Sequence, residues 1–499
     1  MKRILALFLA ILTCVSLSAC SHSQKDEKKK KENSNENNAS ETVTAETEEE
    51  NDPARILDLE KKDLGGYSFR FMTRRSSYYH LDSHEVWAEK LKGDAINDAV
   101  YRRNQLIERE YNCSIEEVKE YSPSGVARDS LLAGDYVADF LYDEARQLRT
   151  LVSLGLLKDT KGSEYINSEK AWYDTGLMDQ VNVGDFRYFL AGDASILDDT
   201  SLYLIRVNYD ILKQVEPSID LYEEVRQGNW TVDRMYELAL AASKDVNGNG
   251  KMELGTDRVG YLASKKAAWA HVAAGGVTVS NRYATGRIEI PPEPKSELQN
   301  AWGKIRGLLE APFRAFDDKR IEYYDVAFSC ERVSHLLGAD AVPKQLGVLP
   351  MPKLSVEQIA YVTTAAFEDL CVYAIPRSVD HIQRAKELGF SSGTEMAAYF
   401  FEVFSYYSMK KLTPAFYEKL YESQCLKSDE EKEMLLYATF NRNYDPVVGY
   451  NFGAIDVFEV MDKKGTRNQL ESLYRRYQPS AEQALSRYQE YMETANQGG

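Results

Sequence analysis

The residues most clearly spaced for chemistry lie in one run, Asp245-Val246-Asn247-Gly248-Asn249-Gly250-Lys251-Met252-Glu253. Oxygen-bearing side chains stand at loop positions 1, 3, 5 and 9, glycine stands at 6 where the chain must turn sharply, and the Lys251 carbonyl stands at 7. That is the order in which a calcium loop supplies its ligands. Position 12 is Thr256 rather than a bidentate glutamate, with Asp257 directly after it. The pattern therefore predicts a static, structural calcium site, with Asp257 as sixth ligand, rather than a sensor. An Asx/Gly turn uses the same residues without a metal. Catalytic motifs are not found. His84-Glu85 is followed by Val86, Trp87 and Ala88, so a zinc-protease helix lacks its second histidine, and there is no nucleophile elbow or phosphate-binding loop. Paired carboxylates cannot be matched in space from sequence, so a glycosidase stays open as a minor alternative.

The N-terminus carries a second chemical signal. Lys2 and Arg3 precede an apolar stretch from Ile4 to Leu17, too short to span a bilayer and suited to the core of a signal peptide. Leu17-Ser18-Ala19-Cys20 follows and resembles the lipobox of bacterial lipoproteins, which implies cleavage before Cys20 and acylation of that residue. Residues 20–53 are nearly all Lys, Glu, Asn, Ser and Thr, without an aromatic, and read as a disordered linker that tethers a folded body to a membrane. Segment 1–19 is then the signal peptide, and lipid is the expected anchor.

The chain of 499 residues has a net charge of −17, which argues against nucleic-acid and anionic-lipid binding by the folded body. Six cysteines without a C-x-x-C pair exclude a disulfide scaffold; Cys113, Cys330, Cys371 and Cys425 sit in apolar settings and read as buried thiols. Tyrosine is abundant, at 33 residues, which suits either an aromatic core or a surface for an amphipathic ligand. Strands are predicted at Tyr67 to Phe71, from Cys113, at Ala138 to Tyr142, Arg187 to Leu190, Leu202 to Val207, Val326 to Cys330, Leu346 to Leu349 and Leu370 to Ile375. A helical stripe covers Ile96 to Glu110. A long apolar helix is predicted over Met396 to Leu412, and Ser428 with Glu431 forms a capping box. Strands alternating with helices argue for an α/β architecture with parallel sheets.

Several segments together resemble one family, the extracellular solute-binding proteins of ABC importers in their carbohydrate-type branch. They are Asn97 to Asn104 (N-D-A-V-Y-R-R-N), Asp193 to Asn208, Gly228-Asn229-Trp230-Thr231, the calcium-like loop, Gly347 to Lys353 (G-V-L-P-M-P-K) with Gln358 and Tyr361, and Ala374-Ile375-Pro376. The resemblance runs over most of residues 60 to 460; 268–282 and the C-terminal end depart from it. It implies a two-lobed α/β, periplasmic-binding-protein-like fold of type II with a helical C-terminal part. Crossovers are implied near Gly192 to Leu202 and Thr363 to Val372. Lobe one would hold 55–195 and 365–410, and lobe two 196–364 and 411–499. The implied function is a membrane-anchored, non-enzymatic, monomeric binder of a sugar or oligosaccharide that serves ABC permease subunits. Alternatives are a peptide or amine binder, or a surface-anchored hydrolase.

A sugar offers apolar C–H faces to aromatic rings and a hydroxyl rim to charged groups. Ligands of open α/β sheets bind past strand ends and at crossovers. That rule selects Tyr78 and Tyr79 after the first strand, Tyr142 and Asp143 at the end of another, Glu331 after Val326 to Cys330, and Trp269 before the Gly275-Gly276 turn. It also selects Phe367 and Glu368 at the second crossover, Tyr450 and Phe452 in a loop after the capped helix, and Trp172, with Tyr173 beside it.

Overall fold

The computed structural model describes residues 52–78, 82–263, 267–316, 321, 324–337, 345–366, 369–422, 426, 428–450 and 469–495. Residues 57–499 make one compact unit, separate from 1–56. Its strands in chain order are β1 (Tyr67–Arg74), β2 (Cys113–Glu120), β3 (Phe140–Glu144), β4 (Tyr203–Asn208), β5 (Val259–Ala263), β6 (Asn281–Arg282), β7 (Ile288–Glu289), β8 (Arg314–Phe316), β9 (Val326–Arg332), β10 (Leu346–Leu349) and β11 (Cys371–Ala374). The helices that matter below are α1 (Ala95–Tyr111), α2 (Pro123–Ala133), α3 (Ala145–Ser153), α4 (Thr175–Val181), α5 (Leu197–Thr200), α6 (Val232–Ala242), α7 (Ala267–Ala274), α8 (Gly393–Glu422), α9 (Asp429–Thr439) and α10 (Leu470–Ala495).

Two mixed sheets form the frame. The first has order β11-β3-β1-β2 and the second β10-β4-β9-β5-β8. In the first, β1 lies parallel to β2 and β3, while β11 runs antiparallel on the edge. In the second, β5 lies parallel to β8 and β9, and β4 runs antiparallel to both β9 and β10. This is an α/β fold, as the alternation of strands and helices indicates, but the sheets are mixed rather than parallel as that alternation predicts, because β11, β4 and β10 each pair antiparallel with a neighbour. Helices cover both faces, so strands such as β3, β4 and β5 are buried along their whole length. Phe69, Phe71 and Phe140 of the first sheet pack against Phe400 and Phe404 of α8, with the Phe69 and Phe400 rings stacked at 3.8 Å.

The sequence motifs serve this frame. In Asn97 to Asn104, Asp98 accepts from the Lys92 and Gly93 amides, and Arg103 and Asn104 both donate to the Val86 carbonyl, which fastens the segment after β1 onto α1. Trp230 donates to the Pro350 carbonyl at 2.9 Å, Thr231 caps α6, and the backbones of Trp230 and Val232 bond to that of Lys353. The Gly228 to Thr231 and Gly347 to Lys353 motifs are therefore two halves of one contact.

Three further expectations need correction. Arg187 to Leu190 forms no strand; it makes an isolated bridge, Leu190 with Tyr373, because its other polar groups bond to loop residues such as Asp159 and Asn182. The long helix runs through residues 410 and 412 to Glu422 with Pro414 inside it, so a lobe boundary at 410 falls within a helix. Finally, β3 and β9 each continue two residues further than the sequence pattern indicates. Cys113, Cys330 and Cys371 are buried free thiols; Cys425 lies outside the described residues.

Candidate functional site

The carboxyl ends of both parallel strand sets meet at the crossovers. Glu144, the last residue of β3, is in register with Cys371, the first of β11. At the other sheet, the Val333 amide just past β9 bonds to the Leu202 carbonyl just before β4. Between them the two crossovers run side by side, with Leu202 bridged to Ala365, Tyr203 N–H donating to Thr364 O at 3.1 Å and Ala366 N–H to Ser201 O at 2.8 Å. Strand ends, crossovers and the helix starts that follow them thus converge on one region, as ligand sites of open α/β sheets require.

Charged groups with forked hydrogen-bonding geometry occupy it. Arg74, the last residue of β1, reaches Glu144 at 3.0 Å, and Arg146, in the first turn of α3, holds the other Glu144 oxygen at 2.6 Å. Arg332, the last residue of β9, pairs with Asp369 on the second crossover, and its other terminal nitrogen lies 3.4 Å from His335 Nε2. Glu331, one residue earlier, points the opposite way, as the strand period dictates. It accepts from Ser329 Oγ at 2.5 Å and the Ile321 amide at 3.1 Å, and faces His335 and Arg206. Burial alone would raise its carboxyl; the His335, Arg206 and Ser329 contacts overcome this and hold it at about 2.

Most of the aromatic and acidic candidates are taken up by protein. Tyr142 lies within β3 rather than past its end. Its ring stacks on Tyr373 at 4.2 Å, and its hydroxyl bonds to Glu85 at 2.5 Å and Ser195 at 2.6 Å. Asp143 accepts from the Ser124 amide and hydroxyl at the start of α2, and burial pushes its carboxyl up. Trp172 is buried against Tyr406, and Tyr173 donates to Glu402. Tyr450 caps a short helix, Pro446–Gly449, and packs edge-on against Phe189, Tyr444 and Tyr488. Trp269 is buried in α7. Tyr78 is 65% exposed after β1. Tyr79, Phe367, Glu368 and Phe452 lie outside the described residues, as does Cys20. The convergent residues that sequence reasoning missed are Arg74, Glu144, Arg146, Arg332, His335 and Asp369. Glu144, Arg332 and Asp369 each directly follow a selected residue; for Glu144 and Arg332 the longer β3 and β9 account for the shift to the opposite face.

The 245–257 loop closes on itself. Asp245 accepts from the Gly248 and Gly250 amides at 2.7 Å each, with both glycines at positive φ, and Asn249 Oδ1 accepts from the Lys251 amide. Asp257 accepts from Val246 and Glu253, and these backbone donors hold its carboxyl below the usual range. Glu253 receives the side-chain amides of Asn247 and Asn249. Oxygen-only donors of this kind fit a hard cation. No three His, Cys, Asp or Glu residues gather into a metal cluster among the described residues, so a cation here needs the amide oxygens and the Lys251 carbonyl besides the carboxylates.

No protein-family model and no curated protein sequence matches the chain. Solved structures do match. A cyclic α-maltosyl-1,6-maltose binding protein of Arthrobacter globiformis superposes with a TM-score of 0.52 at 11% identity, over 87% of this chain and 100% of that one. The galacto-N-biose/lacto-N-biose I-binding protein of an ABC transporter of Bifidobacterium longum gives 0.51 at 13% identity, over 85% and 98%. RafE of Streptococcus pneumoniae gives 0.51 at 11% identity, over 85% and 100%. The chain thus has the fold of two-lobed solute-binding proteins.

Proposed function

We propose that the chain is the substrate-binding component of an ABC importer, which captures a sugar or oligosaccharide where the strand ends meet and delivers it to a permease. The observation that carries this reading is the fold match, over 85–87% of this chain, to three proteins, of which the Arthrobacter and Bifidobacterium ones are named for the oligosaccharides they bind. The charge of the site supports it. Guanidinium forks donate and carboxylates accept, which suits a hydroxyl rim, and pairing these groups with one another keeps them ordered without ligand. Arg332, Asp369, Arg74 and Glu144 meet the rim in this reading. Binding rather than turnover is the role, since the matched proteins are binders.

The finer features belong to the same proposal. Acylated Cys20 and the linker to residue 53 hold the body at the outer face of the membrane, as a monomer. No described helix is long and apolar enough to cross it. The lobes follow the two sheets. Calcium in the loop formed by Asp245, Asn247, Asn249, Lys251, Glu253 and Asp257 has a structural role at the far end of α6 from the site. The test is a thermal-shift screen of residues 54–499 against mono- and oligosaccharides, peptides and amines, followed by titration. A saccharide at a hundred times its Kd should stabilise the protein by about 2.7 kcal/mol, and Arg332→Ala should weaken binding more than about tenfold. Stabilisation by peptides or amines alone would replace the sugar by those ligands.

A further inference from the structure

The sheets are joined by more than two crossovers. A third segment, Asn441-Arg442-Asn443, lies against the second crossover: Thr363 N–H donates to Asn441 O at 2.9 Å and Asn443 N–H to Thr363 O at 2.8 Å. The Asn443 side chain ties it to the end of α7 through the Ala273 and Val277 carbonyls. Gln180, in α4, ties it to the other side by donating to Arg442 O at 3.2 Å and accepting from the Tyr444 amide. At the centre stands the Arg442 guanidinium. One terminal nitrogen lies 2.9 Å from Asp174 and 3.9 Å from Asp198, and the other pairs with Asp199. Asp198 and Asp199 belong to α5, inside the first crossover. Asp174 also caps α4 through the Leu177 amide. One cation therefore ties the third segment, whose backbone holds the second crossover, to the first crossover and to the start of α4, through carboxylates that outnumber it.

The excess matters because part of the cluster is shut away from solvent. Asp198 is buried, and its Oδ1 has no hydrogen-bond partner among the described residues. Two uncompensated carboxylate charges in such a place are costly, and a proton on one of them relieves the cost. We propose that the Asp174–Asp198–Asp199–Arg442 cluster is the joint about which the two sheets swing, and that one proton held among its carboxylates sets how firmly the joint grips. The groups facing Asp198 are Asp199 beside it, Arg442 and Asp174, and the hydroxyls of Ser195, Tyr142 and Tyr373. Tyr417 of α8 faces Asp199 and Arg442, and His335 lies on the turn packed against α5. Burial first, then Asp199, raise the Asp198 carboxyl well above its ordinary value, against the pull of Arg442. The proton is thus kept under acid conditions and lost as pH rises, which leaves three carboxylates repelling one another around one guanidinium. The grip loosens in that direction. This device gains its purpose from the binding-protein reading, but it can be measured without any ligand, so its failure leaves that reading standing.

Spin labels on Leu132→Cys of α2 and Leu240→Cys of α6, both exposed and on opposite sheets, report the swing by pulsed dipolar spectroscopy of the body, with the chain lacking these two cysteines as background. The label distance of the otherwise wild-type protein should be about twofold wider in distribution at pH 8 than at pH 5. Asp198→Asn should keep the narrow distribution at both pH values, and Arg442→Gln the wide one at both. A wild-type distribution unaffected by pH, or an Arg442→Gln distribution as narrow as wild type, overturns the proposal. Should Arg442→Gln fail to fold, Asp199→Asn, at the half-exposed edge of the cluster, takes its place, and it must narrow the pH 8 distribution for the proposal to stand.

Discussion

Asp445 is the residue whose loss the structure prices most directly. It is buried, and its carboxylate accepts four hydrogen bonds: from the Val279 amide at 2.6 Å, the Ser280 amide at 3.1 Å, the Ser280 hydroxyl at 3.0 Å and the Val447 amide at 2.9 Å. These bonds fasten the end of the third connecting segment to the strand entering β6. In Asp445→Ala the Ser280 hydroxyl can turn elsewhere, but the buried Val279 and Ser280 amides cannot. Each orphaned amide costs about 1–3 kcal/mol, so together they cost about 2–6 kcal/mol. Loss of the cap on the short helix Pro446–Gly449 adds about 1 kcal/mol. Total stabilities of folded proteins are about 5–15 kcal/mol, so the change is large. Urea unfolding of residues 54–499 should show an unfolding free energy lowered by that amount, read as a lower midpoint with an unchanged slope, and hydrogen exchange should show the Val279 and Ser280 amides losing protection. Asp445→Asn should fall between, since it retains one oxygen but turns an NH2 toward donors. A loss below about 1 kcal/mol with protection retained would refute the reasoning, because water or a neighbour would then have satisfied both amides.

Glu402, buried on α8 and bonded to Tyr173, has its carboxyl pushed up by burial to about 7. A carboxyl raised in the folded state contributes fully below its unfolded value of 4.5 and loses that contribution as pH rises through 7. Glu402→Gln should therefore match wild type at pH 4 and exceed it by ~3 kcal/mol at pH 8 in denaturant titrations. Calcium chelation should lower the melting temperature of wild type but not of Asp245→Ala; identical wild-type curves with and without calcium would remove the ion from the loop. Cys20→Ala should abolish acylation and leave the protein unprocessed or released, as read by fractionation and mass spectrometry, and normal membrane attachment of that variant would sink the lipobox assignment.

What the sequence determined by itself was local. The capping box at Ser428 and Glu431 closes in both directions, as the spacing requires, and Leu346–Leu349 is a strand with the bounds its apolar run indicates. Glycines at 248 and 250 give the loop its turns, because only a residue without a side chain adopts that backbone cheaply. The α/β class followed from alternating strands and helices, since each element must bury its apolar face against the next; the antiparallel strands that make both sheets mixed did not. The tertiary structure decided how the charges pair. Arg332 meets Asp369 across 37 residues, and Arg442 meets Asp199 across 243. Neither contact leaves a local periodic trace, and the final two residues of β3 and β9, Asp143-Glu144 and Glu331-Arg332, look like loop in sequence because they are charged. Pairing with neighbouring strands keeps them extended: Glu144 against Cys371, and Glu331 and Arg332 against Leu204 and Tyr203. That continuation turned Asp143 and Glu331 inward and set Glu144 and Arg332 at the meeting of the sheets, because in a strand one residue of register is the difference between its two faces.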